Sequence, residues 1–259
     1  MNFLTQALHL LGSGSGAYIM ARNLRDPQTR PNTLAGLQLA ESGSVPMLSA
    51  LSQRAAAEGD TWLSNKLATH AADEHRHGQI FAHALKQLNK QVIDFKQVAQ
   101  TNPKDKSEAR PETRQRSPFF EAYFDGYSQD SLCPEQIDWL VFMASTYILE
   151  LDASKDFARM AKALPLDDLH SANLRKGMLS IAQDETGHAA YLYEALHRRL
   201  PHSAVAATVE EWRTRKVNAL LAMVGNLFQG HNPPSLVQEG PPPQDLAALD
   251  LEDRPEIAA

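Results

Sequence analysis

Residues 71–77 read Ala-Ala-Asp-Glu-His-Arg-His, and residues 182–188 repeat the pattern as Ala-Gln-Asp-Glu-Thr-Gly-His. On an α-helix, residues three positions apart lie about 60° apart on one face. Glu74 and His77 can therefore present an oxygen and a nitrogen to one point in space, and the second copy has the same pair. Each copy is a candidate metal-binding pair on a helix.

The repetition distinguishes this pattern from that of an ordinary surface helix. A single Glu-x-x-His is weak evidence for a metal site, because most such pairs are solvated charges on an outer face. When residues 70–85 are aligned with residues 181–196, the identical pairs are Ala71/Ala182, Asp73/Asp184, Glu74/Glu185, His77/His188, Ala84/Ala195 and Leu85/Leu196. The identities include every candidate ligand.

Two further acids stand where apolar core side chains are expected, namely Glu41 and Glu150. A metal-binding four-helix bundle takes one glutamate from each of two helices and Glu-x-x-His from each of the other two. Turn signals at residues 58–60 and 164–168 fall midway between each lone acid and the Glu-x-x-His that follows it, so antiparallel helices bring the carboxylates level. The predicted metal ligands are Glu41, Glu74, His77, Glu150, Glu185 and His188.

The order of these ligands resembles that of the ferritin-like di-iron or di-manganese carboxylate proteins, over residues 33–199. The resemblance implies an all-α fold, a ferritin-like four-helix bundle with a long crossover, to which this chain adds N- and C-terminal helices. It also implies two Fe ions, with Mn or a mixed Mn/Fe pair as alternatives. Glu74 and Glu185, or one of them with solvent, would bridge the ions. Glu41 and Glu150 would be terminal ligands.

Hydrophobic periodicity predicts where the helices lie. Long helices are expected over residues 33–58, 60–89, 134–163 and 168–199, and shorter ones over residues 2–10, 17–25, 119–124 and 203–228. The domain division that follows is 1–30 for the short N-terminal helices, 31–229 for the bundle with its added C-terminal helix, and 230–259 for a Pro-rich acidic tail.

The first long helix has two special features. Asn32 is predicted to cap it, and Gly43 and Pro46 are predicted to interrupt it just past Glu41. The bend is either harmless or opens space for oxygen or a substrate beside the metals.

Asp73 and Asp184 directly precede the paired glutamates. A metal-bound histidine usually donates its other ring N–H to a carboxylate, which fixes the tautomer and makes the imidazole a better ligand. Helix geometry predicts that Asp73 supports His188 and that Asp184 supports His77. The alternative is that both aspartates form structural salt bridges.

Three other residues are close to the ligands on their helices. His70 lies about 40° from Glu74 around the helix, so it donates a hydrogen bond to a metal ligand, is itself a seventh ligand, or is an ordinary buried histidine. Thr146 and Tyr147 lie within one turn of Glu150 and are predicted to border the substrate pocket, although simple packing is the alternative. Arg76 is predicted to face solvent.

The segments outside the bundle allow fewer conclusions. Residues 101–111 are predicted to form a surface loop within the crossover, and the aromatic residues at 119–124 either line a substrate entrance or dock the crossover. Residues 203–228 are amphipathic and are expected to pack on the bundle rather than on a membrane surface. The tail is expected to be extended. It either wraps a partner subunit, as in a homodimer, or is disordered.

Composition narrows the class of protein. The net charge of −6 argues against nucleic acid as a partner, because phosphate binding depends on clustered lysine and arginine. Cys133 is the single cysteine, which suits a reducing compartment. No run approaches the roughly 20 apolar residues of a membrane span, and no basic start marks a signal peptide. A cytoplasmic location is expected.

The ligand chemistry suggests the function. Four buried carboxylates cannot all stay ionised without compensation, and two divalent cations would provide it. Carboxylate and imidazole ligands without thiolate suit iron or manganese rather than structural zinc. The resemblance then implies an O2-activating oxidase or monooxygenase that acts on an unidentified small organic substrate and takes electrons from an external donor.

Two alternatives to this enzyme stay open. One is a ferritin-like or rubrerythrin-like ferroxidase or peroxidase. The other is a non-catalytic helical bundle that acts as an interaction protein. The added helices and the long crossover favour the oxidase or monooxygenase, because storage ferritins are compact.

Overall fold

The computed structural model describes residue 14 and residues 16–94, 117–227 and 235–241, and its regular structure is almost entirely helical. The helices are α1 at residues 16–25, α2 at Arg30–Ala57, α3 at Thr61–Lys86, α4 at Pro118–Tyr123, α5 at Trp139–Ala163, α6 at Leu169–His197 and α7 at His202–Leu227. Two short strands, β1 at Lys90–Val92 and β2 at Val237–Glu239, pair antiparallel. The prediction of an all-α fold is confirmed. The β1–β2 pair, called the β1–β2 ribbon below, is a small element that the prediction did not include.

Aspartate side chains begin three of the four long helices of the bundle. Asp60, Asp138 and Asp168 accept hydrogen bonds from backbone N–H groups in the first turns of α3, α5 and α6. Each bond satisfies a donor that has no partner inside the helix. The turns predicted at residues 58–60 and 164–168 are confirmed, and they separate α2 from α3 and α5 from α6.

The predicted boundaries were wrong by several residues at the start of α5. This helix begins at Trp139 rather than at residue 134, because residues 134–136 form a turn and Asp138 provides the cap. Elsewhere the predicted and observed ends of the long helices differ by at most three residues, which is close to the usual uncertainty of helix ends.

The predicted cap of α2 was also wrong. The helix begins at Arg30, before Asn32, because Pro31 in its first turn has the φ angle of a helix and needs no hydrogen-bond acceptor. Asn32 has another partner: its Oδ1 accepts a hydrogen bond of 2.6 Å from the backbone N–H of Leu236. The start of α2 therefore holds the segment that leads into β2.

Helix α2 continues through Gly43 and Pro46, which were predicted to interrupt it. Proline removes one hydrogen bond from a helix, but the helix on both sides is fixed by packing against α3. The two helices are very close here, because a methyl group on Gly78 would overlap Ser42 Oγ. Packing against α3 thus outweighs the tendency of Gly43 and Pro46 to interrupt the helix.

The long helices pack as two antiparallel pairs, α2 with α3 and α5 with α6, and the pairs meet through α3 and α6. Two apolar clusters lie at different levels along the bundle. One cluster includes Leu51, Leu63, Leu67, Met143 and Leu192, and the other includes Leu34, Phe81, Phe157, Met178 and Ile181. Between them each helix carries buried acids or histidines, so the core is interrupted by one polar layer.

The crossover aromatics dock on α7. Tyr123 of α4 is fully buried, its hydroxyl donates to the carbonyl of Ser145 at 2.8 Å, and its ring lies 5.2 Å from that of Trp212. These contacts favour docking over a substrate entrance. The loop predicted at residues 101–111 lies outside the described part of the chain.

The added helix α7 packs on α4, α5 and α6, as expected. Lys216 of α7 forms a buried ion pair of 2.6 Å with Asp152 of α5. No helix within the described ranges combines the length and the apolar character needed to cross a membrane. Of the tail, residues 235–241 fold back onto the same chain, whereas residues 230–234 and 242–259 and the helix predicted at 2–10 lie outside the described ranges.

Candidate metal centre

The polar layer brings the six predicted ligands together from four helices. Glu41 comes from α2, Glu74 and His77 from α3, Glu150 from α5, and Glu185 and His188 from α6. All are buried except Glu150, whose side chain is 13% exposed. With His70 they form two groups of candidate donors, each within 4.8 Å: Glu41, Glu74, His77 and Glu185, and His70, Glu74, Glu150 and His188. Glu74 belongs to both groups.

His77 is at the centre of the first group. Its Nδ1 lies 3.1 Å from Glu41 Oε2, 3.2 Å from Glu185 Oε1 and 3.7 Å from Glu74 Oε1. One nitrogen therefore faces three carboxylates that belong to three different helices. A cation placed among these atoms would have one nitrogen and at least three oxygens available.

The second group contains two imidazoles. His70 Nε2 lies 3.3 Å from Glu74 Oε1 and 3.5 Å from Glu150 Oε1. His188 Nδ1 lies 3.4 Å from Glu185 Oε2 and 3.8 Å from both Glu74 Oε1 and Glu150 Oε2. Glu74 Oε1 thus faces all three histidines, which is the position expected of a bridging atom.

The outer nitrogens of two histidines contact aspartates across the bundle. His188 Nε2 lies 3.2 Å from Asp73 Oδ2, and His77 Nε2 lies 3.3 Å from Asp184 Oδ2. These are the two cross-helix contacts that the helix geometry predicts. Each aspartate accepts the outer N–H and so leaves Nδ1 free to bind a cation.

The prediction that Arg76 faces solvent was incomplete. Its guanidinium pairs with Asp184 and lies 3.6 Å from Asp73 Oδ1, although 40% of the side chain is exposed. The helix position gives the direction of the Cβ atom, but the long side chain of arginine reaches back over the surface to the two acids. One cation thus balances both supporting carboxylates.

Two residues at the centre were missed by the sequence analysis. The Tyr191 hydroxyl lies 2.8 Å from His70 Nδ1, and Ser44 Oγ donates to Glu74 Oε2 at 3.0 Å. A signal existed, because Tyr191 follows His188 by three positions and Ser44 follows Glu41 by three, so each pair shares a helix face.

The two predicted pocket residues are half-buried. Tyr147 stacks on the exposed Tyr193 of α6, with ring centroids 5.2 Å apart, rather than on one of the donors. A substrate role for Thr146 and Tyr147 stays a prediction.

The pKa values of the glutamates and histidines at the centre differ strongly from their ordinary values. Burial raises the pKa of Glu41 to about 7, and burial together with the charge of Glu150 raises that of Glu185 to about 8. Burial opposes charging of the imidazoles, but hydrogen bonds to the carboxylates raise the pKa of His77 to about 11 and of His188 to about 12. The acids therefore require positive charge in their midst.

The donor set fits divalent cations. Four carboxylates and three imidazoles converge in a buried layer, and the single cysteine, Cys133, is not among them. Such oxygen-rich ligation with imidazole suits iron or manganese, whereas structural zinc sites are usually rich in thiolate. The buried clusters are a candidate metal centre by geometry, by charge and by donor type.

Comparison of the chain with protein-family models, with curated proteins and with solved structures finds no match in any of the three.

Proposed function

We propose that this protein is a ferritin-like, non-haem di-iron oxidoreductase that activates O2 and oxidises a small organic molecule. The observation that carries the proposal is the convergence of Glu41, His77, Glu150 and His188 on a shared Glu74 in a buried layer. The residue order along the chain supports the ferritin-like assignment.

Two cations fit better than one. The donors form two groups that overlap at Glu74, and a single ion could not contact both groups at ordinary bond lengths of about 2 Å. Two divalent ions would also neutralise the four glutamates. Iron is the proposed metal, and manganese or a mixed Mn/Fe pair has the same donor preferences.

A reduced pair of iron ions would supply the two electrons needed to activate O2. The residues of the chain bind the metals, orient the ligands and exclude water. The four glutamates and the histidine Nδ1 atoms hold the metals, while Asp73 and Asp184 accept the outer imidazole N–H groups and keep the rings in place. Ser44 orients one oxygen of Glu74. The apolar clusters on either side exclude bulk water.

The oxidase or monooxygenase is favoured over iron storage by the elements added to the bundle. Helices α4 and α7 and the β1–β2 ribbon cover its outside, and none of them is needed to bind two metals. An external electron donor and a cytoplasmic location belong to the proposal.

Anaerobic loading with Fe(II), followed by metal analysis and exposure to O2, tests the proposal. We expect two irons per chain, O2 consumption and an O2-dependent change in absorption. Glu150→Gln should lower the iron content and abolish O2 consumption. Glu194→Gln, an exposed position on α6 paired with Arg198, is the matched control and should behave as wild type.

The alternatives give different results. Uptake of many irons per chain would favour a storage protein, and consumption of peroxide in place of O2 would favour a peroxidase. A folded protein that binds no metal would exclude all three activities and leave the interaction protein.

A further inference from the structure

The two halves of the bundle differ at one pair of positions beside the metal centre. In the alignment of residues 70–85 with residues 181–196, His70 stands opposite Ile181. Extending the same alignment places Ile80 opposite Tyr191. His70 and Tyr191 therefore both depart from the repeat, and in the structure they contact each other at 2.8 Å.

We infer that His70 is a third imidazole ligand, that Tyr191 positions it, and that the two cation positions are consequently unlike. This inference rests on the proposed function, in that it requires the centre to hold two divalent cations. It assigns the histidine to one position only, the group of His70, Glu74, Glu150 and His188.

The first support is the arrangement of the three imidazoles. His77 and His188 each direct one nitrogen at the glutamates and give the other to an aspartate. His70 is arranged in the same way, with Nε2 facing Glu74 and Glu150 and Nδ1 at the Tyr191 hydroxyl. A neutral imidazole that donates Nδ1–H to Tyr191 leaves the Nε2 lone pair directed at the carboxylates, as a metal ligand requires.

Burial is the second support. His70 is 1% exposed and Tyr191 is 5% exposed, so neither polar group has access to bulk water. A histidine that merely fills the core needs no acids around its second nitrogen. His70 has two, which contribute to the same donor group as His188.

The position of His188 is the third support. The rings of His70 and His188 stack with centroids 3.7 Å apart and planes 24° apart, although the residues belong to α3 and α6. The inner nitrogens of both rings lie within 3.8 Å of oxygens of Glu74 and Glu150. The equivalent space in the other half is apolar, because Ile181 is fully buried and Ile80 packs in the same cluster.

The consequence is a difference in metal preference. One position offers two imidazoles and the other, formed by Glu41, Glu74, His77 and Glu185, offers one. Imidazole favours the later first-row metals, whereas carboxylate suits manganese and magnesium. The position with His70 should bind cobalt and iron more tightly and fill first.

Titration of metal-free protein with Co(II), followed by calorimetry, tests this order. We expect two binding steps in the wild type. His70→Gln should weaken the tighter step by at least about 100-fold, and Tyr191→Phe should weaken the same step by about 10-fold, because loss of an outer partner typically costs 10- to 100-fold in affinity. His75→Gln, at an exposed position of the same helix, should change neither step.

A second readout needs no variant. In the Co(II)-loaded wild type, each ligating histidine should give one strongly shifted exchangeable N–H proton signal in the NMR spectrum, so we expect three. Two signals would overturn the inference, as would equal affinities in the wild type and in folded His70→Gln. A wild type that binds no Co(II) would instead remove the proposed function itself.

Discussion

Helix α5 carries two acids with little exposure to solvent, Glu150 and Asp152, and the two have different partners. Residues two positions apart project about 160° apart around a helix, so the two side chains enter different parts of the core. Asp152 meets Lys216 at 2.6 Å, and the chain itself neutralises its charge. Glu150 lies among the glutamates and imidazoles of the donor groups, with its Oε1 3.5 Å from His70 Nε2 and its Oε2 3.8 Å from His188 Nδ1.

The difference separates a structural buried charge from a functional one. An ion pair that is complete within the chain needs no ligand, and breaking it lowers the stability of the fold without affecting ligand binding. A cluster of acids that the chain leaves unbalanced needs a cation from outside. The Lys216–Asp152 pair and the acids of the metal centre should therefore differ in how mutation, pH and metal change the stability and the metal content of the protein.

The largest effect is expected from Lys216→Met. The change removes the closer of the two ammonium groups at the buried Asp152, and breaking a buried pair in this way costs about 3–5 kcal/mol. Urea unfolding of the metal-free protein measures the loss, while the metal content of the folded protein should not change. Lys155→Met is the control, because this exposed lysine lies 4.0 Å from the same acid and should cost less than about 1 kcal/mol. Equal losses in the two variants would contradict the comparison.

A smaller effect is expected from pH. The pKa values of His77 and His188 are raised above 6.5, so their contribution to stability is fully present below pH 6.5 and is lost as the pH rises towards 11 or 12. The raised pKa values of Glu41 and Glu185 act in the same direction above pH 4.5.

The metal-free protein should therefore become less stable as the pH rises from 5 to 9. Metal-loaded protein should not, because cations replace the protons. Thermal unfolding at a series of pH values, with and without Fe(II) or Co(II), checks both statements. A metal-free protein that is more stable at pH 9 than at pH 5 would show that the centre is already balanced.

The smallest effect is expected from the supporting aspartates. Asp73→Asn and Asp184→Asn remove the charge that holds each histidine, and each should weaken metal binding by about 10- to 100-fold. The metal-free variants should also lose part of the stability at low pH, because the hydrogen bonds to Asp73 and Asp184 help to raise the pKa values of His188 and His77. Asp167→Asn, in the exposed turn between α5 and α6, is the control and should bind metal normally. Unchanged affinity in both test variants would mean that Arg76, not the histidines, is the main partner of these acids.

The sequence allowed much of this arrangement to be predicted because the information is local and periodic. Glu74 and His77 share a helix face by their spacing, and Asp60 and Asp168 are capping residues beside turn signals. Two turns placed midway between acids bring the acids together. None of these steps requires knowledge of a distant contact.

The features that could not be predicted depend on distant contacts. The pairs His70–Tyr191 and Lys216–Asp152 each join two helices, and only the packed structure shows which faces meet. The β1–β2 ribbon pairs short polar segments that have no periodic signal of their own. The prediction for Arg76 was incomplete because a helix position does not fix the end of a long side chain.

The β1–β2 ribbon also affects the order in which the chain can fold. During synthesis, α2 and α3 leave the ribosome long before β2, yet Asn32 at the start of α2 pairs with the backbone of Leu236, and Val92 pairs with Val237. These contacts can form only after residue 239 has emerged. The segment that carries β2 is made after all four long helices of the bundle and fastens the first of them, α2, so the complete architecture arises after translation has passed the whole bundle.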